Sequence, residues 1–166
     1  MEIRPCSDED LAHVRDQWPT PGTDIHGAHY AAHQSGQATY LVAWQESSPI
    51  GSAMLQWRGC VGRNARKAFP RCVEINHLLV RAEHRGQGVG TALIKAAEQL
   101  VVARGGAEIA LGVSGDNADA GRLYSRLGYV TTGILDVTSY TWVEMDGVEH
   151  DATERDALLV KVIRSA

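Results

Sequence analysis

The stretch Val80-Arg81-Ala82-Glu83-His84-Arg85-Gly86-Gln87-Gly88-Val89-Gly90-Thr91 decides the fold, because three closely spaced glycines join a strand to a helix. The apolar run from Val73 to Val80 predicts the strand, and Thr91 to Val102 carries its apolar residues on one helical face. Glycines let consecutive backbone N–H groups converge on one point, and the N-terminus of a helix adds positive potential. The loop therefore predicts an anion site, most naturally for a phosphate or pyrophosphate.

Two familiar phosphate-binding loops do not match this stretch. The nucleoside-triphosphate loop carries Lys followed by Ser or Thr after its last glycine, whereas Gly90 is followed by Thr91-Ala92. The dinucleotide fingerprint spaces its glycines as G-x-G-x-x-G, whereas the spacing here is G-x-G-x-G. A nucleotide binder of either kind is therefore not expected.

The rest of the chain predicts strands and helices in mixed order. Residues 58–71 are expected to be irregular, and Asp146-Gly147 to form a tight turn. The expected elements are strands at 2–5, Thr39–Trp44, Ile50–Trp57, Val73–Val80, Ile109–Val113, Tyr129–Val137 and Ala157–Ile163, and helices at Ser7–Gln17 (with a capping-box pattern), Thr23–Gln34, Thr91–Val102 and Asn117–Leu127. This order predicts an α/β fold with a mixed, mostly antiparallel central sheet and helices on both faces, as a single domain over residues 1–166.

Composition limits the class of protein. The chain has 166 residues, 44% hydrophobic and 22% charged, which suits one globular domain. A net charge of -4 argues against nucleic-acid binding by charge, and no apolar run approaches the roughly 18 residues that membrane crossing needs. The first residues lack a signal-peptide pattern, and the three cysteines, Cys6, Cys60 and Cys72, have no metal-type spacing. We therefore expect a cytoplasmic protein with reduced cysteines.

Two sequence elements together resemble the GNAT superfamily of N-acyltransferases. The glycine loop resembles the acyl-CoA signature of that family, Arg/Gln-x-x-Gly-x-Gly/Ala. The stretch from Asn117 through Leu123-Tyr124 to Gly128-Tyr129 resembles the N-x-x-A-x-x-L-Y-x-x-x-G-F/Y segment of its second CoA-contacting helix. Both elements lie in the family's order, and the strand–helix pattern matches from residue 2 to about 163. Ala82 departs from the family, which often has proline there.

The resemblance implies acetyl-CoA as co-substrate, no metal, and direct transfer of an acetyl group to an amine. It implies that the backbone of β-strand residues Leu78, Leu79 and Val80 holds the pantetheine arm, and that Asn117 also binds it. The pyrophosphate would be held by the loop residues Arg85, Gly86, Gln87, Gly88, Val89, Gly90 and Thr91. Tyr124 would lie beside the sulfur and act as general acid. Independently, Tyr124 lies on the apolar stripe of its predicted helix, so its hydroxyl is expected to point inward and to need a polar partner.

Glu74 is the candidate general base. It interrupts an apolar strand, and it stands 11 residues before Arg85, a spacing that resembles family members with a strand glutamate as base. Strand alternation predicts that Glu74 shares a face with Asn76, Leu78 and Val80, with His77 opposite as a core histidine. The alternative is a structural carboxylate paired with Arg71 or Arg58.

The acceptor is expected to be a primary amine of a small molecule, and a lysine or N-terminal amine of a protein is the alternative. Family members that acetylate protein N-termini often have an acidic residue where Gly112 stands here, which weakens that alternative. A non-catalytic CoA-binding or sensor module is the rival from another class. Acceptor pockets of the family form from variable loops, here residues 18–36 and 137–155, with Tyr140 and Trp142 as specificity candidates. Dimers are common in the family, so a homodimer is a further expectation.

Two other groups of residues have alternative interpretations. His26, His29 and His33 share a helix face and could ligate zinc, but without a completing carboxylate or cysteine they are better interpreted as a polar face lining the acceptor cleft. Cys72 could carry an acyl group, but no activating base is evident and a small apolar filler is the preferred interpretation.

Overall fold

The computed structural model describes residues 1–143 and 146–163, except for the side chains of residues 142 and 143, and it contains seven strands and five α-helices in those ranges. In chain order these are β1 (Glu2–Pro5), α1 (Asp8–Gln17), α2 (Ile25–Gln34), β2 (Ala38–Gln45), β3 (Ser48–Gln56), α3 (Arg63–Ala68), β4 (Val73–Val80), α4 (Val89–Ala103), β5 (Glu108–Ser114), α5 (Ala118–Arg126), β6 (Val130–Val143) and β7 (Glu149–Val162). None of the helices in the described ranges is long and apolar enough to cross a membrane.

The strands form one sheet in the order β1-β2-β3-β4-β5-β7-β6. All neighbouring strands are antiparallel except β4 and β5, which are parallel. The predicted mixed, mostly antiparallel sheet is therefore confirmed. The Asp146-Gly147 turn also lies between the two paired strands β6 and β7, which are longer than predicted.

Helices cover both faces of the sheet because the side chains of the central strands alternate. Leu41 and Ala43 of β2 pack with Leu93, Ile94 and Ala97 of α4 in one buried cluster. The intervening Tyr40, Val42 and Trp44 pack with Leu11 and Val14 of α1 and Tyr30 of α2 in another. Each face of the sheet therefore has its own core.

The first helix begins as its sequence predicts. The hydroxyl of Ser7 accepts a hydrogen bond from the Asp10 N–H at 3.1 Å, and the Asp10 carboxylate accepts one from the Ser7 N–H at 3.1 Å. This reciprocal pair satisfies two of the N–H groups that an α-helix leaves free at its start. The capping box is therefore present.

The structure corrects the expectation that residues 58–71 are irregular, because they contain the short helix α3. Gly62 precedes this helix and offers it no side-chain cap. The carboxylate of Asp136 on β6 instead accepts hydrogen bonds from the N–H groups of Asn64 at 2.8 Å and Ala65 at 3.0 Å. A helix capped from a distant strand gives no local sequence signal.

A β-bulge in β4 corrects the predicted alternation of that strand. Ser52 pairs with Leu79 and Met54 pairs with Asn76, so two residues of β4, His77 and Leu78, oppose one residue of β3. His77 has a φ of 48°, in the left-handed region. The extra residue reverses the alternation beyond it.

The reversal changes which residues share a face. Leu78 and Val80 pack against the same core as Ile75, under α4. Glu74 therefore lies on the opposite face from Leu78 and Val80, not on the same face as predicted. His77 is exposed, so it is not a core histidine, and its ring lies 4.7 Å from the ring of His29.

Candidate active site

The glycine loop leaves a row of backbone N–H groups free. Gly86 and Gly88 have φ values of 71° and 84°, and Gly88 is the residue that precedes α4. No side chain caps this helix, and its first backbone bond runs from the Ala92 N–H to the Gly88 carbonyl at 3.0 Å. The N–H groups of the residues between them, 89 to 91, are therefore unused within the helix, as an anion site at a helix N-terminus requires.

A cavity of about 590 Å³ lies in front of these N–H groups, between the glycine loop and α5. Its wall includes Arg85, Arg122 and Arg126, so three cations surround the helix N-terminus. Arg122 also forms an ion pair with Asp119, and the Arg85 Nε donates to the Val80 carbonyl at 3.2 Å. Backbone and side-chain positive charge therefore meet in one cavity that suits a phosphorylated ligand.

The two parallel strands separate beyond their first residues. β4 and β5 pair from Val73 with Ile109 to Ile75 with Leu111, and no further pairs are formed between them. On its other side β4 stays paired with β3 as far as Val80. The edge of β4 from Asn76 onward therefore faces an opening in the sheet, where an extended ligand can add as a strand does.

A second cavity, of about 460 Å³, lies at this opening and reaches residues of both sheet faces. Its wall contains Tyr124, Asn117 and Leu78 from the α4–α5 side and Glu74 and Asp156 from the other side. The structure thus brings the predicted acid and the predicted base to one cavity. Leu79 is not part of this wall, since its side chain points away and is 46% exposed.

Glu74 is buried, with 8% of its surface exposed. Its Oε2 accepts a hydrogen bond from the Val61 N–H at 2.7 Å, and no pairing with Arg58 or Arg71 is present among the described residues. Burial raises the pKa of Glu74, the Val61 N–H opposes that shift, and the nearby Asp156 and Asp136 add to it. A carboxylate with a raised pKa and one oxygen left unbonded suits a general base.

Tyr124 is 7% exposed, and its hydroxyl has no hydrogen-bond partner among the described residues. The inward orientation is as predicted, whereas the expected protein partner is missing. Desolvation raises the pKa of Tyr124, so the hydroxyl stays protonated at neutral pH. A hydroxyl at the cavity wall that bonds none of the described residues is available to a ligand.

Asn117 precedes α5 and caps it. Its Oδ1 accepts a hydrogen bond from the Ala120 N–H at 3.1 Å, which leaves its amide NH₂ free at the cavity wall. The sequence stretch that predicts a ligand contact is therefore also a helix cap.

Three acidic residues of this cavity, Asp136, Glu154 and Asp156, were not found by sequence reasoning. They lie on β6 and β7, and the pairing of Asp136 with Asp156 brings them to the cavity. Asp156 and Glu74 flank Gly112: a Cβ at Gly112 would lie 3.6 Å from the Asp156 Cβ and 3.8 Å from the Glu74 Oε1. Glu154 and Asp156 are two residues apart, a spacing that places both side chains on one face of a strand. Whether that face lines the cavity depends on pairing with distant residues, which the local sequence does not show.

The histidines of α2 do not form a metal site. His26 bonds the Tyr40 hydroxyl at 2.7 Å and the Trp18 carbonyl at 2.8 Å with its two ring nitrogens. Desolvation, with His77 and His26 nearby, lowers the pKa of His29 to about 4. No group of three or more potential ligands is placed to hold a metal within residues 1–143 and 146–163. His29 lies beside His77 at the edge of the cleft, whereas Trp142 has a side chain outside the described part of the chain.

Cys72 is fully buried beside Cys60, and the thiol of Cys60 and burial raise its pKa. A buried thiol that retains its proton is a poor nucleophile. The structure therefore favours the interpretation of Cys72 as an apolar filler.

Comparison with known proteins identifies the family. The model of the acetyltransferase (GNAT) family matches residues 5–129, and the chain therefore belongs to that family. A search of curated proteins finds no match.

Solved structures share the fold over nearly the whole chain. A ribosomal-protein-alanine N-acetyltransferase from Brucella melitensis matches with a TM-score of 0.70 and 17% identity, covering 98% of this chain and 100% of that one. A phosphinothricin acetyltransferase from Sinorhizobium meliloti in complex with acetyl-CoA matches with a TM-score of 0.67 and 20% identity, covering 98% and 88%. An aminoglycoside 6'-N-acetyltransferase complexed with coenzyme A matches with a TM-score of 0.64 and 17% identity, covering 100% of this chain and 99% of that one. These proteins act on different acceptors, so the shared fold does not name one for this chain.

Proposed function

We propose that this protein is an acetyl-CoA-dependent N-acetyltransferase that acetylates a primary amine of a small molecule by direct attack. The observation that carries the proposal is the cavity at the separated strands, where Glu74 and Tyr124 approach from opposite faces of the sheet. Acetyl-CoA, when bound, supplies an acetyl thioester. The following roles belong to the chain's own residues.

The glycine loop and α4 hold the acyl donor. The free N–H groups of residues 89 to 91, together with Arg85 and Arg126, suit the pyrophosphate. The open edge of β4 at Leu78 to Val80 and the amide NH₂ of Asn117 suit the amides of the pantetheine arm. This arrangement aims the reactive end of the donor at Tyr124.

Glu74 prepares the acceptor. An alkylamine with a pKa near 10.4 is charged at pH 7 and must lose a proton before it attacks. The Glu74 Oε1 is the unbonded oxygen and takes this proton, directly or through one water. A bond then forms between the amine nitrogen and the acetyl carbon.

Tyr124 completes the transfer. The carbon–sulfur bond breaks, and the departing sulfur takes the proton of the Tyr124 hydroxyl, which bonds none of the described residues. The second proton of the attacking nitrogen passes through water to the Tyr124 oxygen, and Glu74 returns its proton to solvent. The products are the N-acetylated amine and the free thiol. Backbone N–H groups on the open edge of β4 suit the oxygen that gains negative charge.

Thiol release from acetyl-CoA in the presence of individual amines and peptides tests the proposal. Acceptor-dependent release with small amines supports it. Release with peptides alone would favour a protein acetyltransferase. Tight CoA binding without acceptor-dependent release across the panel would favour a sensor module.

A further inference from the structure

The acceptor side of the cavity is strongly acidic. Four carboxylates contribute to its wall: Glu74, Asp136, Glu154 and Asp156. No lysine or arginine belongs to the described part of that wall, and its one histidine is His77. The described lining of the cavity therefore contains four carboxylates and no lysine or arginine side chain to pair with them.

Two of these carboxylates oppose each other directly. Asp136 and Asp156 are cross-strand partners in the β6–β7 ladder, and like charges in that position destabilise a sheet. The α3 N–H groups bond the Asp136 carboxylate at 2.8 and 3.0 Å, whereas Asp156 accepts no hydrogen bond from the described residues. Asp156 is thus the carboxylate that lacks a compensating group.

The cavity also holds the hydroxyl of a buried side chain that bonds none of the described residues, which is a second observation in favour of a ligand. Tyr124 is 7% exposed, lines the same cavity, and has no partner among the described residues. On the opposite side, the Glu74 Oε1 and the Asp156 Cγ lie 3.8 and 4.0 Å from one point, the position of a Cβ on Gly112. Gly112 therefore adds no side chain between these two carboxylates, which both line the cavity.

The acidic wall continues outward from this point. Glu154 lies two residues from Asp156 on the same face of β7, about 7 Å along the strand at roughly 3.4 Å per residue. The Tyr140 hydroxyl donates to the Glu154 Oε1 at 3.1 Å and helps to orient it. A ligand that reaches from Glu74 to Glu154 therefore meets negative charge at both ends.

We propose that the natural acceptor carries a second cationic group, as a diamine or polyamine does, with the reacting amine at Glu74 and the other ammonium held by Asp156 and Glu154. This inference rests on the proposed function, and it adds the substrate class. The reacting nitrogen becomes neutral for attack, so its own charge cannot hold it there. A second ammonium stays charged throughout the reaction and keeps the acceptor in place.

Matched pairs of acceptors test the inference on the full-length protein. The ratio of kcat/KM for hexane-diamine to that for hexylamine compares equal carbon chains that differ in one charge. We expect a ratio of at least about 10-fold, as one moderately screened ion pair gives. Equal values for the two acceptors would overturn the inference and leave the proposed function intact. Release with neither acceptor, nor with any other amine or peptide, would overturn the proposed function itself.

Three variants locate the effect. Asp156→Asn and Glu154→Gln should each lower the ratio by about 3- to 10-fold, as a partly exposed ion pair does. Glu149→Gln makes the same change of charge on the same strand, away from the cavity wall, and should leave the ratio as it is. The Tm of Asp156→Asn should be no lower than that of the parent, because the change removes the repulsion between Asp136 and Asp156. An unchanged or higher Tm shows that a lower ratio reflects lost binding and not lost folding. An unchanged ratio in both Asp156→Asn and Glu154→Gln would overturn the assignment.

A lysine-containing peptide tests the alternative of a protein acceptor in the same assay. A peptide with two neighbouring lysines presents two cations to the same wall. A higher kcat/KM for such a peptide than for every diamine would overturn the small-molecule class and favour a protein acceptor. A lower value supports the proposal.

Discussion

Replacing Tyr124 by Phe removes one oxygen from the cavity and separates catalysis from stability. The Tyr124 hydroxyl bonds no described protein group, so its loss breaks no protein hydrogen bond. The free energy of unfolding should change by less than about 0.5 kcal/mol, which corresponds to roughly 2 °C or less in Tm for a domain of this size. The turnover number should fall about 10- to 1000-fold, because the departing thiolate loses its proton donor.

Tyr129→Phe is the matched control. Tyr129 is also buried, at 3% exposed, and its ring lies 6.3 Å from the ring of Tyr124. Its hydroxyl, in contrast, donates to the Glu98 Oε1 at 2.9 Å. Loss of that bond should cost about 1 to 2 kcal/mol and lower Tm by roughly 3 to 6 °C, while kcat changes little.

Thermal melts and steady-state kinetics on both variants give the four numbers needed. The KM for acetyl-CoA should stay near the parent value in Tyr124→Phe, since the glycine loop proposed to bind the pyrophosphate lines a different cavity. An undiminished kcat in Tyr124→Phe would refute the general-acid role. A Tm loss larger than that of Tyr129→Phe would show that Tyr124 is a structural core residue.

Further predictions concern the base and the loop. Glu74→Gln should lower kcat/KM by about 100- to 10,000-fold. Its Tm should not fall, because the neutral amide still accepts the hydrogen bond of the Val61 N–H and no buried charge remains. A loss of Tm with little loss of rate would instead show that Glu74 is structural. Asp156→Asn removes a negative charge that helps to raise the pKa of Glu74, so Glu74 should ionise at lower pH. The acid limb of the pH profile of kcat/KM should therefore move to lower pH, and a move to higher pH would contradict this. Gly88→Ala places a Cβ at a φ of 84°, so it should lower the free energy of unfolding by about 1 to 2 kcal/mol and also raise the KM for acetyl-CoA. Gly105→Ala, at a φ of 77° beyond the other end of α4, should lower the free energy of unfolding by the same amount and leave the KM unchanged. Equal KM changes in both glycine variants would remove the loop from donor binding.

Local signals in the sequence predict the parts of the fold that depend on neighbouring residues. The Ser7 capping box, the glycine loop before α4 and the Asn117 cap of α5 each depend on residues a few positions apart. Their geometry can therefore be predicted from the local sequence alone.

Features that depend on distant residues were missed for a physical reason. Helix α3 is capped by Asp136 from a strand 72 residues away from Asn64, so its own sequence lacks a cap signal. The bulge in β4 places a histidine at positive φ, a conformation that residue type alone does not predict. The acidic wall depends on the register between β6 and β7, which only the folded sheet defines.

The bulge at His77 divides β4 into two halves whose side chains face different sides of the sheet. Glu74, the proposed base, lies before it, and Leu78 and Val80 lie after it and face the core under α4. On the proposed function, mutations in the first half of β4 and in the β6–β7 hairpin alter which amine is acetylated, while the donor site keeps its geometry. Acceptor preference is therefore free to diverge between related genes without a loss of acetyl-CoA binding along the way.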